Sequence, residues 1–354
     1  MFIVDAHLDL AMNAMEWNRD LRLPVSEIRQ TETGMTDFPD RGRGTVSLPE
    51  LRTANIGLVV ATQIARVQLP ETILPANKSS QQAWARTQGQ LAWYKEMEMD
   101  GQMRMVRDLE SLSQHLEDWN TDSEKAPVGY ILSLEGADSL PSIEYLETAH
   151  QYGLRAIGPA HYGPGRYANG TDYSGHLSIQ GRALLKRMQS LHMILDTAHL
   201  CDEAFWDAID IYDGPIWSSH SNCRALVNHN RQISDDMIRA LVSKNAVIGV
   251  ALDAWMMVPD WVRGKSDPRQ MNCSLETIID HLDHICQLAG NAKHVGIGSD
   301  LDGAFGTEQS PYDLDTIAGL ANFDRLLKKR GYGNEDISHI LSGNWLSFLK
   351  RAWS

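Results

Sequence analysis

Eight short β-rich runs alternate with amphipathic helical stretches along this chain, and that alternation constrains its fold more than any other feature. The runs are Phe2–Asp9, Gly57–Ala65, Val128–Glu135, Leu154–His161, Met193–His199, Ile216–His220, Ala246–Asp253 and Val295–Asp300. Helical stretches are read at Ser79–Met99, Ile143–Tyr152, Ile179–Leu191, Ser234–Ser243 and Leu275–Leu288. Several open on good caps, Ser234 before Asp235 and Asp236 being one. The pattern predicts an α/β fold, a (β/α)8 TIM barrel. The competing open doubly wound sheet would carry Gly-x-Gly-x-x-Gly after its first strand, and none is present. Two stretches exceed a minimal barrel: residues 11–56 after the first run, and residues 66–127, a loop and two helices, after the second. Both follow strand C-termini, where barrels build substrate loops.

At 354 residues, length alone suits two domains. No repeat, low-complexity tract or linker divides the chain, so the expectation is one domain over 1–354. Lys and Arg total 32 against 46 Asp and Glu, a formal charge of −14 that repels phosphate backbones and anionic membranes. Nucleic acid is therefore not an expected partner. Cys201, Cys223, Cys273 and Cys286 are too few and scattered for a disulfide framework, and none forms Cys-x-x-Cys. No run of about 18 apolar residues is present to span a bilayer. The chain starts directly on its first strand, without room for a signal peptide, so the expected compartment is cytoplasmic.

The chemistry lies at the ends of the runs. The first ends in His7-Leu-Asp9, and residues two apart on a strand point the same way. An imidazole beside a carboxylate suits a borderline divalent metal. His-x-Asp alone is commonplace, but the design recurs. Later runs end in Glu135, His161, Asp196-Thr-Ala-His199, Ser219-His220 and Ser299-Asp300-Leu-Asp302. Six of eight runs thus deliver a His, Asp or Glu to one rim, where barrels gather functional residues. Imidazole and carboxylate without thiolate suit zinc, with manganese, cobalt or iron as substitutes. A mononuclear catalytic zinc needs three protein ligands and a water. This larger inventory fits two metals about 3.5–4 Å apart sharing a carboxylate.

Asp5-Ala-His7-Leu-Asp9, Leu134-Glu135-Gly136, Asp196-Thr-Ala-His199, Ser219-His220-Ser221-Asn-Cys-Arg224-Ala225, Arg231 before Ser234-Asp235, and Gly298-Ser-Asp300-Leu-Asp302-Gly303 lie in order along the chain. Together they resemble the signature blocks of the membrane (renal) dipeptidase family, peptidase family M19, metallopeptidases among the amidohydrolase-type barrels. The resemblance implies His7 and Asp9 on one zinc, His199 and His220 on the other, and Glu135 bridging them. It implies a metal-bridging hydroxide that attacks an amide carbonyl, with His161 bonding the oxyanion. Asp300 would hold the substrate's free amine and protonate the leaving nitrogen, and Arg231 would clamp its terminal carboxylate. The implied substrate is a small dipeptide, with a D-residue accepted at the C-terminal position, and the implied assembly is a homodimer.

Three stretches depart from the family pattern, all at the substrate rim: His161–Asp172, Asn228–Gln232 and Ala251–Trp255. They leave the substrate more open than the chemistry. An N-acyl-amino-acid amidohydrolase on the same metals, or a non-catalytic barrel that binds without turnover, are the alternatives. Among secondary residues, Arg166 is read as a second anionic anchor and Asp302 as a supporting group. Asp5 and Asp196 either orient ligand imidazoles or cap strand ends. His281 and His284 are read as surface or interface residues on an outer helix, and Trp84, Trp93 and Met97 as packing. Cys201 and Cys223 are not read as ligands.

Overall fold

The computed structural model describes every residue except Ile73, which falls in the second predicted insertion. Nine strands form one sheet: β1 (Ile3–Leu8), β2 (Ile56–Ile64), β3 (Met103–Met105), β4 (Val128–Glu135), β5 (Leu154–Gly158), β6 (Ile194–Asp196), β7 (Ile216–Trp217), β8 (Ile248–Val250) and β9 (Val295–Ile297). Eight of these described strands run in the order β7-β6-β5-β4-β2-β1-β9-β8, β3 lies off this path beside β4, and every strand pairing is parallel. Just past β7, Ser218 donates from N to Val247 O at 3.0 Å and accepts from Gly249 N at 2.8 Å. That bridge joins the two ends of the sheet into the expected (β/α)8 barrel.

All eight predicted runs supply strands of the barrel wall. The unexpected β3 is too short to carry a periodic signal. It pairs with Val128–Tyr130 of β4, below the stretch Leu132–Glu135 that pairs with β5. Inside the barrel, Val4, Leu58, Val60, Ile131 and Ile194 pack with Trp217, and Trp345, Phe348 and Leu349 of the C-terminal helix Asn344–Ala352 join them. Burying each such side chain contributes about 1.5–3 kcal/mol before chain entropy is charged against it. The Ser234 cap is formed as expected, its side chain accepting from Met237 N.

The insertion after β1 holds helices Leu10–Met15, Val25–Thr31 and Leu48–Thr53. The one after β2 holds helices Ser80–Met99 and Leu109–Thr121 around β3. Two glycines allow the close approach on which the rim depends. A Cβ at Gly249 or Gly298 would fall 1.9 or 1.7 Å from the Ser219 carbonyl oxygen, so only glycine lets the His220 strand end lie this close. Among the described residues, no helix is long and apolar enough to cross a membrane.

Candidate metal centre

The strand ends converge on Glu135, the last residue of β4. Its Oε1 lies 3.1 Å from Nε2 of His199, 3.5 Å from that of His220, 3.6 Å from that of His7 and 3.8 Å from that of His161. Asp9 and Asp300 complete the ring, their Oδ1 atoms 3.9 and 3.8 Å from His7 Nε2. Every one of the eight predicted site residues except Arg231 therefore touches this cluster through Glu135 or His7. Arg231 reaches it from the side, with Nη2 3.3 Å from His199 Nε2 and donating to the His220 carbonyl at 2.8 Å.

Local backbone sets these directions. The period-two reading of His7 and Asp9 is only half the account, because β1 shifts register between Asp5 and Leu8, and Asp9 already stands at the N-cap position of the helix Leu10–Met15, its side chain making no cap bond. Thr62 of β2 donates its hydroxyl to Asp9 Oδ1. His199 and Asp300 both adopt left-handed backbone, with φ of 66° and 58°. Non-glycine residues in that region are uncommon and concentrate where function fixes them. Ser219 Oγ lies 2.7 Å from His220 Nδ1, which turns Nε2 toward Glu135.

Asp5 and Asp196 bind strand ends, not imidazoles. Asp5 Oδ1 accepts from Ser299 N at 2.8 Å, and Asp196 Oδ1 from Ser219 N at 3.0 Å. Asp302 plays the supporting role expected of it. It accepts from Thr45 N, Thr45 Oγ1 and Val46 N at 2.7–3.0 Å, with Arg19 Nη1 3.6 Å away, and so ties the first insertion to the turn bearing Asp300. The reading of Arg166 as an anionic anchor is corrected: its guanidinium donates to the carbonyls of Asp138 and Leu140. His281 is not at the surface. It is buried, its Nδ1 accepting from Cys223 N, its Nε2 3.1 Å from Met257 O. At the altered rim, Asp253 binds Trp255 Nε1 and Gln309 Nε2, and Arg263 stacks on Trp255 at 4.5 Å. Arg66, two residues past β2, is a site residue that sequence reasoning missed. Its Nε donates to His161 Nδ1 at 3.0 Å.

The electrostatics of this cluster fit a cation. Burial, aided by the Arg231 charge, lowers His7 to about 3, and burial likewise holds His199 and His220 well below the ordinary imidazole range. All three are thus neutral, the form that binds metal. Among the described residues His7 Nε2 is buried without a hydrogen-bond partner, and the Nε2 atoms of His199 and His220 face each other at 2.9 Å. Burial first, then mutual repulsion with Asp9 and Asp300, raises Glu135 well above the carboxylate range, and burial lifts Asp9 to about 6. Divalent cations would relieve both the crowded lone pairs and the crowded carboxylates. Three triads have donor atoms all within 4.8 Å of one another: His7–Asp9–Glu135, Glu135–His199–His220 and His7–His220–Asp300. A cavity of about 410 Å³ meets the cluster, lined by Asp9, Glu135, His161, His199 and Asp300 and by Trp17 and Phe38 of the first insertion.

This predicts a pH-dependent affinity for metal. Protons held on Asp9 and Glu135 at acid pH must leave when a cation binds, so affinity should rise with pH through about 6. The imidazoles, already neutral there, release none. Each proton displaced steepens the dependence by about tenfold per pH unit. Chelator competition at pH 5.5 and 7.5 measures this, and equal affinities would contradict the reading.

Fold and donor set together define a parallel barrel with a candidate metal centre at its rim. The family model for membrane dipeptidases, peptidase family M19, matches residues 1–353, and the chain belongs to that family. The chain is 30% identical over 216 residues to an uncharacterised Klebsiella pneumoniae protein from the pqqA 5′ region, covering 59% of this chain and 76% of that one. To the dipeptidase tcpJ of Claviceps purpurea it is 27% identical over 230 residues, 63% of this chain and 51% of that protein. The chain thus spans about half the length of this fungal relative. Among solved structures, an M19 dipeptidase superposes with a TM-score of 0.79 at 24% identity, over 100% of this chain and 99% of its own. A Rhodobacter sphaeroides metallopeptidase, bound to a phosphinate mimic of the dipeptide L-Ala-D-Ala, gives 0.80 at 21% identity over the same shares. At these identities the two structures speak for the fold.

Proposed function

We propose that this metallo-dipeptidase is a binuclear zinc enzyme that hydrolyses small dipeptides carrying a free amine and a free carboxylate. The observation that carries the reading is Glu135, whose Oε1 lies within 3.1–3.6 Å of Nε2 on His7, His199 and His220. His7 and Asp9 would hold one cation, His199 and His220 the other, and Glu135 both. When bound, the two metals supply Lewis acidity at the scissile carbonyl and a water acidic enough to attack near neutral pH. The remaining steps fall to the chain. His161 donates from Nε2 toward the developing oxyanion. Asp300 binds the substrate ammonium and moves a proton to the leaving nitrogen. Arg231 engages the terminal carboxylate through its planar fork.

The phosphinate ligand of the Rhodobacter sphaeroides structure makes L-Xaa-D-Xaa dipeptides the first class to test. The experiment is metal analysis of the purified chain joined to a zinc-supplemented screen of L-L, L-D and N-acyl substrates. The expected result is about two metals per chain, turnover of free dipeptides, and loss of that turnover in Asp300→Asn. Metal well below two per chain after zinc addition would overturn the binuclear site. Turnover of N-acyl substrates that Asp300→Asn spares would move the enzyme to the amidohydrolase reading, since those substrates carry no ammonium.

A further inference from the structure

Four imidazoles surround Glu135, and one of them is held differently from the rest. We propose that Arg66 is a positioning residue that fixes His161 as a hydrogen-bond donor. Its Nε–H binds Nδ1 of His161, so the ring proton sits on Nε2, the nitrogen facing Glu135. The distance from Arg66 Nε to His161 Nδ1 is 3.0 Å, and His161 Nε2 lies 3.8 Å from Glu135 Oε1. A guanidinium carries donors only, so Nδ1 must accept. A neutral imidazole has one N–H, and with Nδ1 accepting it must be Nε2–H. A protonated ring would set N–H against N–H, which this bond forbids. Among the described residues His7, His199 and His220 have no guanidinium at Nδ1: that of His199 is buried and unbonded, that of His220 meets a hydroxyl able to donate or accept, and Arg231 Nη2 approaches His199 at Nε2 instead, where that ring accepts. Arg66 thus sets His161 apart as the imidazole whose Nε2 must carry the proton.

The placement of Arg66 is itself fixed. Immediately after β2 its carbonyl accepts from both N and Nδ2 of Asn77 at 2.9 Å, and Gln68 N returns to Asn77 O at 2.8 Å. Among the described residues no carboxylate lies within 4.0 Å of its guanidinium, and His161 is the side chain it bonds. An arginine with an acidic partner would be a surface ion pair; this one is directed at a ring nitrogen. In the reaction, a donor preset on Nε2 needs no tautomer change when charge develops on the carbonyl oxygen, which is where preorganisation lowers a barrier.

The inference rests on the dipeptidase reading for its kinetic arm only. Arg66→Met and Arg66→Lys would be prepared in the full-length, zinc-loaded enzyme and checked for metal content. Both are expected to lower kcat about 10–100-fold, the range for partners that orient site groups, with KM within about threefold of the parent. Long-range proton–nitrogen spectra of ¹⁵N-histidine protein, assigned with His161→Gln, should show His161 as a single Nε2–H tautomer in the parent and a mixture in both variants. Full kcat in Arg66→Lys would mean that charge alone suffices, and would overturn the proposal. So would a raised KM at unchanged kcat, or a His161 tautomer indifferent to both substitutions. Should the parent hydrolyse no dipeptide, the functional reading fails while the spectra still decide the role of Arg66.

Discussion

Glu135→Gln should abolish dipeptide turnover and leave the chain with fewer than two metals. The side chain keeps its shape, so the change isolates charge and donor strength. As a carboxylate, Glu135 stands within 3.6 Å of three neutral imidazole nitrogens and would be shared by both cations. An amide oxygen is a far weaker ligand for a divalent metal. Losing the several kcal/mol of transition-state stabilisation that the metals supply corresponds to about a thousandfold or more in rate. Stability should move the other way. Without metal, a carboxyl whose pKa is raised in the fold favours the folded chain fully only below its ordinary value, and that contribution is lost as pH climbs past the raised one. Gln carries no such liability. The metal-free variant should therefore unfold at no lower urea than the metal-free parent above pH 7, while the zinc-loaded parent exceeds both. Turnover within tenfold of the parent, or a variant less stable than the metal-free parent at that pH, would refute the shared-ligand role.

The barrel and most of the metal-centre candidates were legible because strand ends are a periodic feature. Apolar runs mark the wall, and whatever polar residue follows each run must sit at one rim. That logic carries His7, Asp9, Glu135, His161, His199, His220 and Asp300 without any knowledge of the turns between them. The strand boundaries were less legible where function bends the chain. Met193–His199 and Ile216–His220 read as extended, yet β6 stops at Asp196 and β7 at Trp217. His199 then turns left-handed, which residue composition does not announce. Arg66 was invisible for a different reason. It is 95 residues from His161, and only the β2–β4–β5 adjacency brings them together. His281 misled because its outer-helix position says nothing of the Cys223 loop that folds over it.

Arg231→Met should weaken dipeptide binding sharply while leaving the fold intact. The guanidinium is buried, and among the described residues its Nε and Nη1 lack partners and no carboxylate lies within 4.0 Å of it. An unpaired buried charge costs several kcal/mol, so its retention calls for an anion that arrives from outside. A substrate carboxylate meets that need, and truncating one partner of such a pair typically costs about 2–5 kcal/mol, or roughly 30- to 5,000-fold in affinity. The loss should fall mainly on KM, because the carboxylate is bound alike in ground and transition states. Dipeptide amides supply the control. Lacking the anion, they should be poor substrates for the parent, and Arg231→Met should change their kcat/KM by less than about threefold, so that the two changes are non-additive. A different result would expose a structural role. Nη2 also donates to the His220 carbonyl, and if that bond is what matters, the variant should lose metal and slow acids and amides equally. Thermal unfolding separates the cases further: removing a charge that waits for substrate leaves the free enzyme as stable or more so, whereas removing a strut for His220 destabilises it.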